Sequence, residues 1–305
     1  MREATPSSTA ITVSLMRAVH TRTAPLPLID DPWGERLIPE TVIAAIGQAL
    51  FSASSDGRGD AASIDVDALL RASPANANVV LRSRYTEDAL QDALVRGVSQ
   101  YVLIGAGMDS YALRVPAGAG HVQIFEVDHP ATQTFKTQRI AECGLSLADS
   151  VHFLAADLSQ QALGSVLQDS AFDATQPAFF SLLGVTMYLS PEDNRATMRE
   201  IATCSAPGSE LVFSYLDQAM FSAPPTEAGA TFMEMQGQVA AQGEPFVSGF
   251  DPESLGNNLE KLGLRLEEDL SDIDLIERYD PSGINGLVSV HHSRIARVRL
   301  AARTS

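Results

Sequence analysis

The sequence predicts an α/β protein: a mostly parallel sheet with helices on both faces. Three observations carry this reading. From residue 100 onward, short apolar segments alternate with segments of helical spacing, the pattern of strands joined by crossover helices. The first apolar segment, Tyr101-Val102-Leu103-Ile104, runs into the turn Gly105-Ala106-Gly107-Met108-Asp109. The second, Ile124-Phe125-Glu126-Val127, ends on Asp128, 23 positions after Gly105.

Taken in order, the first residues are small and polar, and apolar positions at Ile11, Leu15 and Val19 predict a short helix over 11–20. Residues 23–39 are turn-forming, with Pro25, Pro27, Pro32 and the single tryptophan, Trp33. A helix follows over 42–51, then a polar, small-residue stretch at 52–62 that reads as a linker, with a lid as the alternative. Helical spacing at Val79, Val80, Tyr85, Ala89, Leu90 and Leu94 predicts a helix over 76–95 that leads into the first strand. Strands are predicted at 100–104, 122–127, 151–154, 178–184 and 210–215, each mostly apolar, as parallel strands covered on both faces are. Helices are predicted near 130–143, 159–168 and 191–203. A helical insert over about 217–255 carries Met220, Met233 and Met235, which suit either the cover of a substrate pocket or an ordinary helix core. Residues 263–267 and 289–300 predict an antiparallel hairpin at the sheet edge. The chain therefore divides into an N-terminal helical cap, 1–75, on the substrate side and a cofactor-binding domain, 76–305, that contains the insert.

Composition narrows the function. A hydrophobic content of 45% supports a substantial core. The net charge of −17 argues against nucleic acid and anionic membrane as partners, since both need clustered Lys and Arg. Cys143 and Cys204 are too few for a disulfide framework. The only adjacent histidines are His291 and His292, no Cys/His spacing suits a metal, and none is expected. No apolar run approaches the ~18 residues of a membrane span, and residues 1–10 lack an apolar leader core. A soluble, cytoplasmic protein is the expectation; its oligomeric state is not legible.

Glycines at a strand-to-loop turn let the backbone approach a ligand with no Cβ in the way. A carboxylate at the tip of the next parallel strand can accept from both hydroxyls of a ribose. Together they describe a pocket for an adenosine-containing cofactor. Dinucleotide folds place a third glycine where this chain has Ser110, and aim a helix N-terminus at a pyrophosphate. Asp109 would repel a pyrophosphate but is compatible with the sulfonium and ammonium of S-adenosyl-L-methionine, so a methyl-donor site is favoured. A nicotinamide-dependent oxidoreductase or flavin site, a non-catalytic protein that binds S-adenosyl-L-methionine, and a plain βα turn capped by Asp109 stay open on these residues alone.

A longer set of motifs makes the choice narrower. Gly105-Ala106-Gly107-Met108-Asp109-Ser110, Phe125-Glu126-Val127-Asp128-His129-Pro130 with Lys136, Arg82-Ser83-Arg84-Tyr85, Ala156-Asp157-Leu158 and Gly184-Val185-Thr186-Met187-Tyr188-Leu189 resemble the leucine carboxyl methyltransferase-like family of class I S-adenosylmethionine-dependent methyltransferases. More narrowly, the chain is similar to a bacterial, largely actinobacterial branch related to polyketide O-methyltransferases. The resemblance implies a Rossmann-like fold with a seven-stranded, mostly parallel sheet. It implies O-methylation, at a carboxylate or hydroxyl, of a small molecule in secondary metabolism. It also implies that Arg82, or Arg84 two residues on, pairs with the methionine carboxylate of the donor, as a guanidinium offers two parallel donors. Gly105 and Gly107 would pack against the methionine moiety, Asp128 would take the ribose hydroxyls, and Asp157 and the Leu158 backbone would meet the adenine.

Two departures stand out. Family members that act on protein carboxyl termini carry a glutamate where this chain has Leu183, which favours a small, apolar acceptor. Asp109-Ser110-Tyr111 replaces the more frequent Asp-Thr-Arg, which removes one basic contact near the cofactor. Tyr188 is a candidate for the acceptor site, or a core aromatic; His129, at the ribose end, reads as structural. The sequence shows no convincing general base, which a carboxylate acceptor would not need and a hydroxyl acceptor would use.

Overall fold

A computed structural model describes residues 6–54, 65–115, 122–222, 227–241, 243–289 and 292–301. Its centre is one seven-stranded sheet: β1 (Gln100–Ile104), β2 (Gln123–Asp128), β3 (Val151–Ala155), β4 (Phe179–Leu182), β5 (Glu210–Leu216), β6 (Leu264–Ser271) and β7 (Ser293–Leu300). The order across the sheet is β3-β2-β1-β4-β5-β7-β6. The first five strands run parallel, and β7 pairs antiparallel with both β5 and β6.

Alternation along the strands fills two cores. On β1, Val102 and Ile104 join Phe125, Phe180 and Phe213 on one face, while Tyr101 and Leu103 join Ile124, Phe179 and Val212 on the other. One face is covered by α8 (Leu163–Gln168), α9 (Pro191–Cys204) and α11 (Pro252–Glu260), through Leu167, Ile201 and Leu259. The other is covered by α5 (Asn76–Val95) and α12 (Asp272–Tyr279). A third core joins α1 (Ser8–Thr23), Leu37 and Ile38 just after α2 (Trp33–Arg36), and α4 (Val66–Ala72) to Met108 and to Ile140 of α7 (Pro130–Glu142), and α3 (Glu40–Ser54) packs against it. The short α6 is Tyr111–Arg114 and the insert helix α10 is Glu227–Ala241. Strand order reverses between β1 and β4, and open α/β sheets bind ligands where that happens, beyond the carboxyl ends.

The five predicted parallel strands agree with those observed to within two residues at each end, whereas β6 runs four residues beyond the predicted 263–267 and β7 starts four residues into the predicted 289–300. The helix predicted over 159–168 begins only at Leu163, because Asp157 accepts from the Ser159 N–H (3.0 Å) and Ser159 hydroxyl (2.6 Å) and holds the preceding residues in a turn. The antiparallel pair at the end of the chain is present, but it is no tight hairpin: α12 lies between β6 and β7, and only β6 forms the edge. The insert is helical in part, with a 3₁₀ turn at Gln218–Ser222 and then α10. Its return pairs Phe250 with Asp217 in an isolated bridge. Most of the 52–62 stretch lies outside the described residues. No described helix is long and apolar enough to cross a membrane.

Candidate functional site

Beyond the carboxyl ends of β1 to β4, beside α1 and α3, lies a cavity of about 1320 Å³. Arg82, Gly105, Gly107, Asp128, Asp157, Leu158 and Tyr188, seven side chains or turns from five separate segments, all line it.

The glycine turn is built from the backbone. The N–H groups of Gly105 and Ala106 donate to the Val127 carbonyl at 2.9 and 3.3 Å, which couples the loop to β2. Both glycines have positive φ, 69° and 54°. A Cβ at Gly105 would overlap Val185, and one at Gly107 would lie 2.9 Å from the Cβ of Ala10 on α1. Asp128 closes the loop from the other side: Oδ2 accepts from the Gly107 N–H and Oδ1 from the His129 N–H at 2.6 Å. Burial pushes the Asp128 carboxyl up from its usual range, and the two backbone donors oppose that shift. His129 caps α7, its Nδ1 accepting from the Ala131 N–H at 3.3 Å, in keeping with a structural role.

Arg82 is 8% exposed and projects from α5 toward Gly184, where a Cβ would lie 2.7 Å from Nη2. Its Nη1 donates to Asn78 Oδ1 at 3.1 Å, and no carboxylate among the described residues lies within ion-pairing distance. Asn78 in turn donates to Asp272 Oδ1 at 3.3 Å, so Asp272 is linked to the guanidinium only through an amide. Burial lowers the Arg82 pKa to about 10, which leaves it charged at neutral pH. Arg84 faces elsewhere, pairing with Asp88 at 3.0 Å and donating to the Leu28 carbonyl at 3.1 Å. Asp157 borders the cavity, yet its carboxylate already accepts from Ser159 and from Gln160 Nε2 (2.9 Å), contacts that hold it below the usual carboxylate range.

Three residues that sequence reasoning did not single out fix the loop from above. Ser14 Oγ donates to the carbonyls of Gly34 (2.9 Å) and Met108 (3.3 Å). Arg17 Nη2 donates to the same Met108 carbonyl at 2.8 Å, while its Nε pairs with the fully buried Asp31 at 2.8 Å. Burial works against the Asp31 carboxylate, but Arg17 and Ser110 outweigh it and hold the group below its usual range. The available signal was an arginine inside Leu15-Met16-Arg17-Ala18-Val19. Its partner sits in the proline-rich segment, where nothing local announces it.

Tyr188 ends the 3₁₀ turn Thr186–Tyr188 and packs on Phe246, ring centroids 5.7 Å apart. Burial raises its pKa. It lies near Thr9, which donates to Glu244. Among the described residues no group of three His, Cys, Asp or Glu side chains is placed to hold a metal ion.

The family model described as leucine carboxyl methyltransferase matches residues 10–202. YktD of Bacillus subtilis (strain 168), provisionally named as an S-adenosyl-L-methionine-dependent methyltransferase, is 31% identical over 284 residues, 90% of this chain and 91% of that protein. A protein of Mycolicibacterium smegmatis, named in the same way, is 32% identical over 215 residues, 70% of this chain and 68% of its own length. A crystal structure of a provisionally assigned methyltransferase from Thermobifida fusca YX covers 85% of this chain and 95% of its own, with a TM-score of 0.53 at 16% identity. A DUF574 family protein from Streptomyces avermitilis covers 94% and 96%, with a TM-score of 0.52 at 14% identity. At these identities the two structures speak for the fold alone.

Proposed function

The chain belongs to the leucine carboxyl methyltransferase family, and from that premise we propose that it methylates an oxygen of a small molecule, with S-adenosyl-L-methionine as donor. The observation that carries this reading is Arg82: a buried, charged guanidinium at the cavity wall with no carboxylate partner among the described residues. Leaving a buried cation unpaired is costly, and a ligand carboxylate removes that cost. The amino-acid end of the donor brings one.

When bound, the donor supplies a methyl group activated by a sulfonium. The chain's own residues do the rest. Arg82 binds the carboxylate, and Gly105 and Gly107 let the loop lie close. Asp128, oriented by two backbone donors, presents its remaining lone pairs to the ribose hydroxyls. Asp157 and the Leu158 backbone border the position of the adenine. Asp109 adds negative charge to a wall that faces a cationic donor. Methyl transfer needs mainly alignment, with reacting atoms ~3 Å apart, which a preformed cavity supplies. Pockets for single ligands run to ~300–1,000 Å³; this cavity is larger and has room for donor and acceptor together. Described residues of the N-terminal segment, such as Val42 and Ile46, and of the insert, such as Met235 and Phe246, line the cavity and supply acceptor-side walls, and Leu183 is consistent with a small, apolar acceptor rather than a protein terminus. A cytoplasmic role in secondary metabolism fits this reading.

Calorimetric titration with S-adenosylhomocysteine, with NADH as control, tests it. Micromolar binding of the first and none of the second is expected. Binding of NADH alone would move the site to an oxidoreductase, and binding of neither would leave the fold without this activity.

A further inference from the structure

The acceptor half of the cavity carries a group that the sequence did not reveal. Glu244 follows α10, and Thr9 opens α1; they are 235 residues apart, and the Thr9 hydroxyl donates to Glu244 Oε2. Tyr188, from the turn after β4, lies near Thr9, Glu244 and Arg82 on the same cavity wall. The three residues line the same cavity as the donor site.

Charge decides which acceptor this arrangement suits. The cavity is lined by two arginines, Arg17 and Arg82. Arg17 is consumed by Asp31 and the Met108 carbonyl, and Arg82 is claimed by the donor. No arginine or lysine among the described lining residues is left for an acceptor carboxylate, and Glu244 would oppose one. The surrounding wall is apolar, with Val42, Ile46 and Leu50 from α3 facing a cluster of Met187, Leu216 and Phe246.

We propose that the acceptor is an apolar molecule bearing a hydroxyl group rather than a carboxylate, and that Glu244 is the general base that receives its proton. The inference rests on the methyltransferase reading above. Thr9 fixes the carboxylate through Oε2, and Tyr188, which keeps its own proton, donates a hydrogen bond toward the acceptor oxygen. In the transfer, the acceptor O–H bond breaks and its proton passes to Glu244. The oxygen forms a bond to the donor methyl carbon. The carbon–sulfur bond breaks with its electron pair left on sulfur, giving a methyl ether and S-adenosylhomocysteine.

Matched probes separate the alternatives: naphthol with naphthoic acid, and dodecanol with dodecanoic acid. Binding is read by calorimetry on the protein saturated with S-adenosylhomocysteine, and turnover by methyl label from S-adenosyl-L-methionine. Wild type is expected to bind and methylate hydroxyl members in preference to their acids. Glu244→Gln is expected to lower kcat on hydroxyl members by about 100-fold, the lower end for a general base, with KM and donor affinity little changed. The same variant is expected to bind the acids more tightly than wild type, an effect that loss of structure would not produce. Preference for the acids, a Glu244→Gln enzyme at the wild-type rate, or binding of no probe by a protein that still binds S-adenosylhomocysteine would each overturn the proposal. Failure of wild type to bind S-adenosylhomocysteine would instead overturn the reading beneath it.

Discussion

The guanidinium of Arg82 rests against Gly184, close enough that a Cβ there would lie 2.7 Å from Nη2 and 3.0 Å from Nη1. Gly184 also has a φ of 68°, a conformation that costs an ordinary residue ~1–2 kcal/mol. The glycine thus has two reasons to be there: it turns the chain out of β4, and it leaves the space that Arg82 fills. Gly184→Ala should displace the guanidinium from the cavity wall. The expected outcome is a folded protein whose affinity for S-adenosylhomocysteine falls at least tenfold, about 1.4 kcal/mol, by calorimetry. A variant that binds as wild type does would detach Arg82 from the donor.

Asp128 joins two loops, accepting from Gly107 on one side and His129 on the other. Removing the carboxylate therefore takes away a ligand contact and also leaves two N–H groups without their acceptor. Asp128→Ala is expected to weaken S-adenosyl-L-methionine binding tenfold or more, about 1.4 kcal/mol. Unchanged affinity, measured by equilibrium dialysis, would remove Asp128 from the donor site.

How much of this was legible in the sequence depended on the range of each interaction. The glycine turn and Asp128 hold each other across adjacent strands, and the residue types alone state what the backbone must do there. Four of the five parallel strands, β1, β2, β4 and β5, announce themselves because both faces are buried, while β3 at the opposite edge is only half-buried. The edge strand β6 did so only for its first half: the strand predicted at 263–267 runs on to Ser271, because a bulge between Leu266 and Glu268 shifts its alternation and the charged run Glu267-Glu268-Asp269 hides the rest. Two of those charges are spoken for by distant partners, Glu268 by the Tyr85 hydroxyl at 2.6 Å and Asp269 by Tyr215 at 2.9 Å. The site shows the same divide. Arg17 meets Met108 across 91 residues and Glu244 meets Thr9 across 235, and no local pattern encodes either meeting.

The Arg17–Asp31 pair is buried on both sides and anchors the N-terminal helix to the donor loop. Asp31 also accepts from the N–H groups of Trp33 (3.2 Å) and Gly34 (2.9 Å), which starts α2. Breaking a buried pair by removing one partner costs about 3–5 kcal/mol, while replacing both with apolar groups is far milder. Asp31→Ala should therefore lower the urea midpoint sharply. The double change Arg17→Met with Asp31→Leu should recover much of the loss, the N–H contacts excepted. Equal damage from the single and double variants would show that the pair itself is not what matters.

Asp272 is 1% exposed at the start of α12, and burial pushes its pKa up to about 7, against Asn78 and a Ser293 backbone donor that pull it down. The unfolded chain releases this proton near pH 4, the ordinary value for Asp. Between about pH 4 and 7 the folded state therefore holds a proton that the unfolded state has lost. Stability must fall as pH rises through that window, by at most about 1.4 kcal/mol per pH unit for one group. Asp128 and Glu126 are raised by burial too, so the wild-type curve alone does not isolate Asp272. Asp272→Asn mimics the protonated form and should remove this one contribution. The stability of the variant relative to wild type is then expected to grow from pH 4 to pH 7 and level off above it, in urea denaturation at each pH. Parallel curves across that range would mean that Asp272 titrates in the folded protein as it does in the unfolded chain.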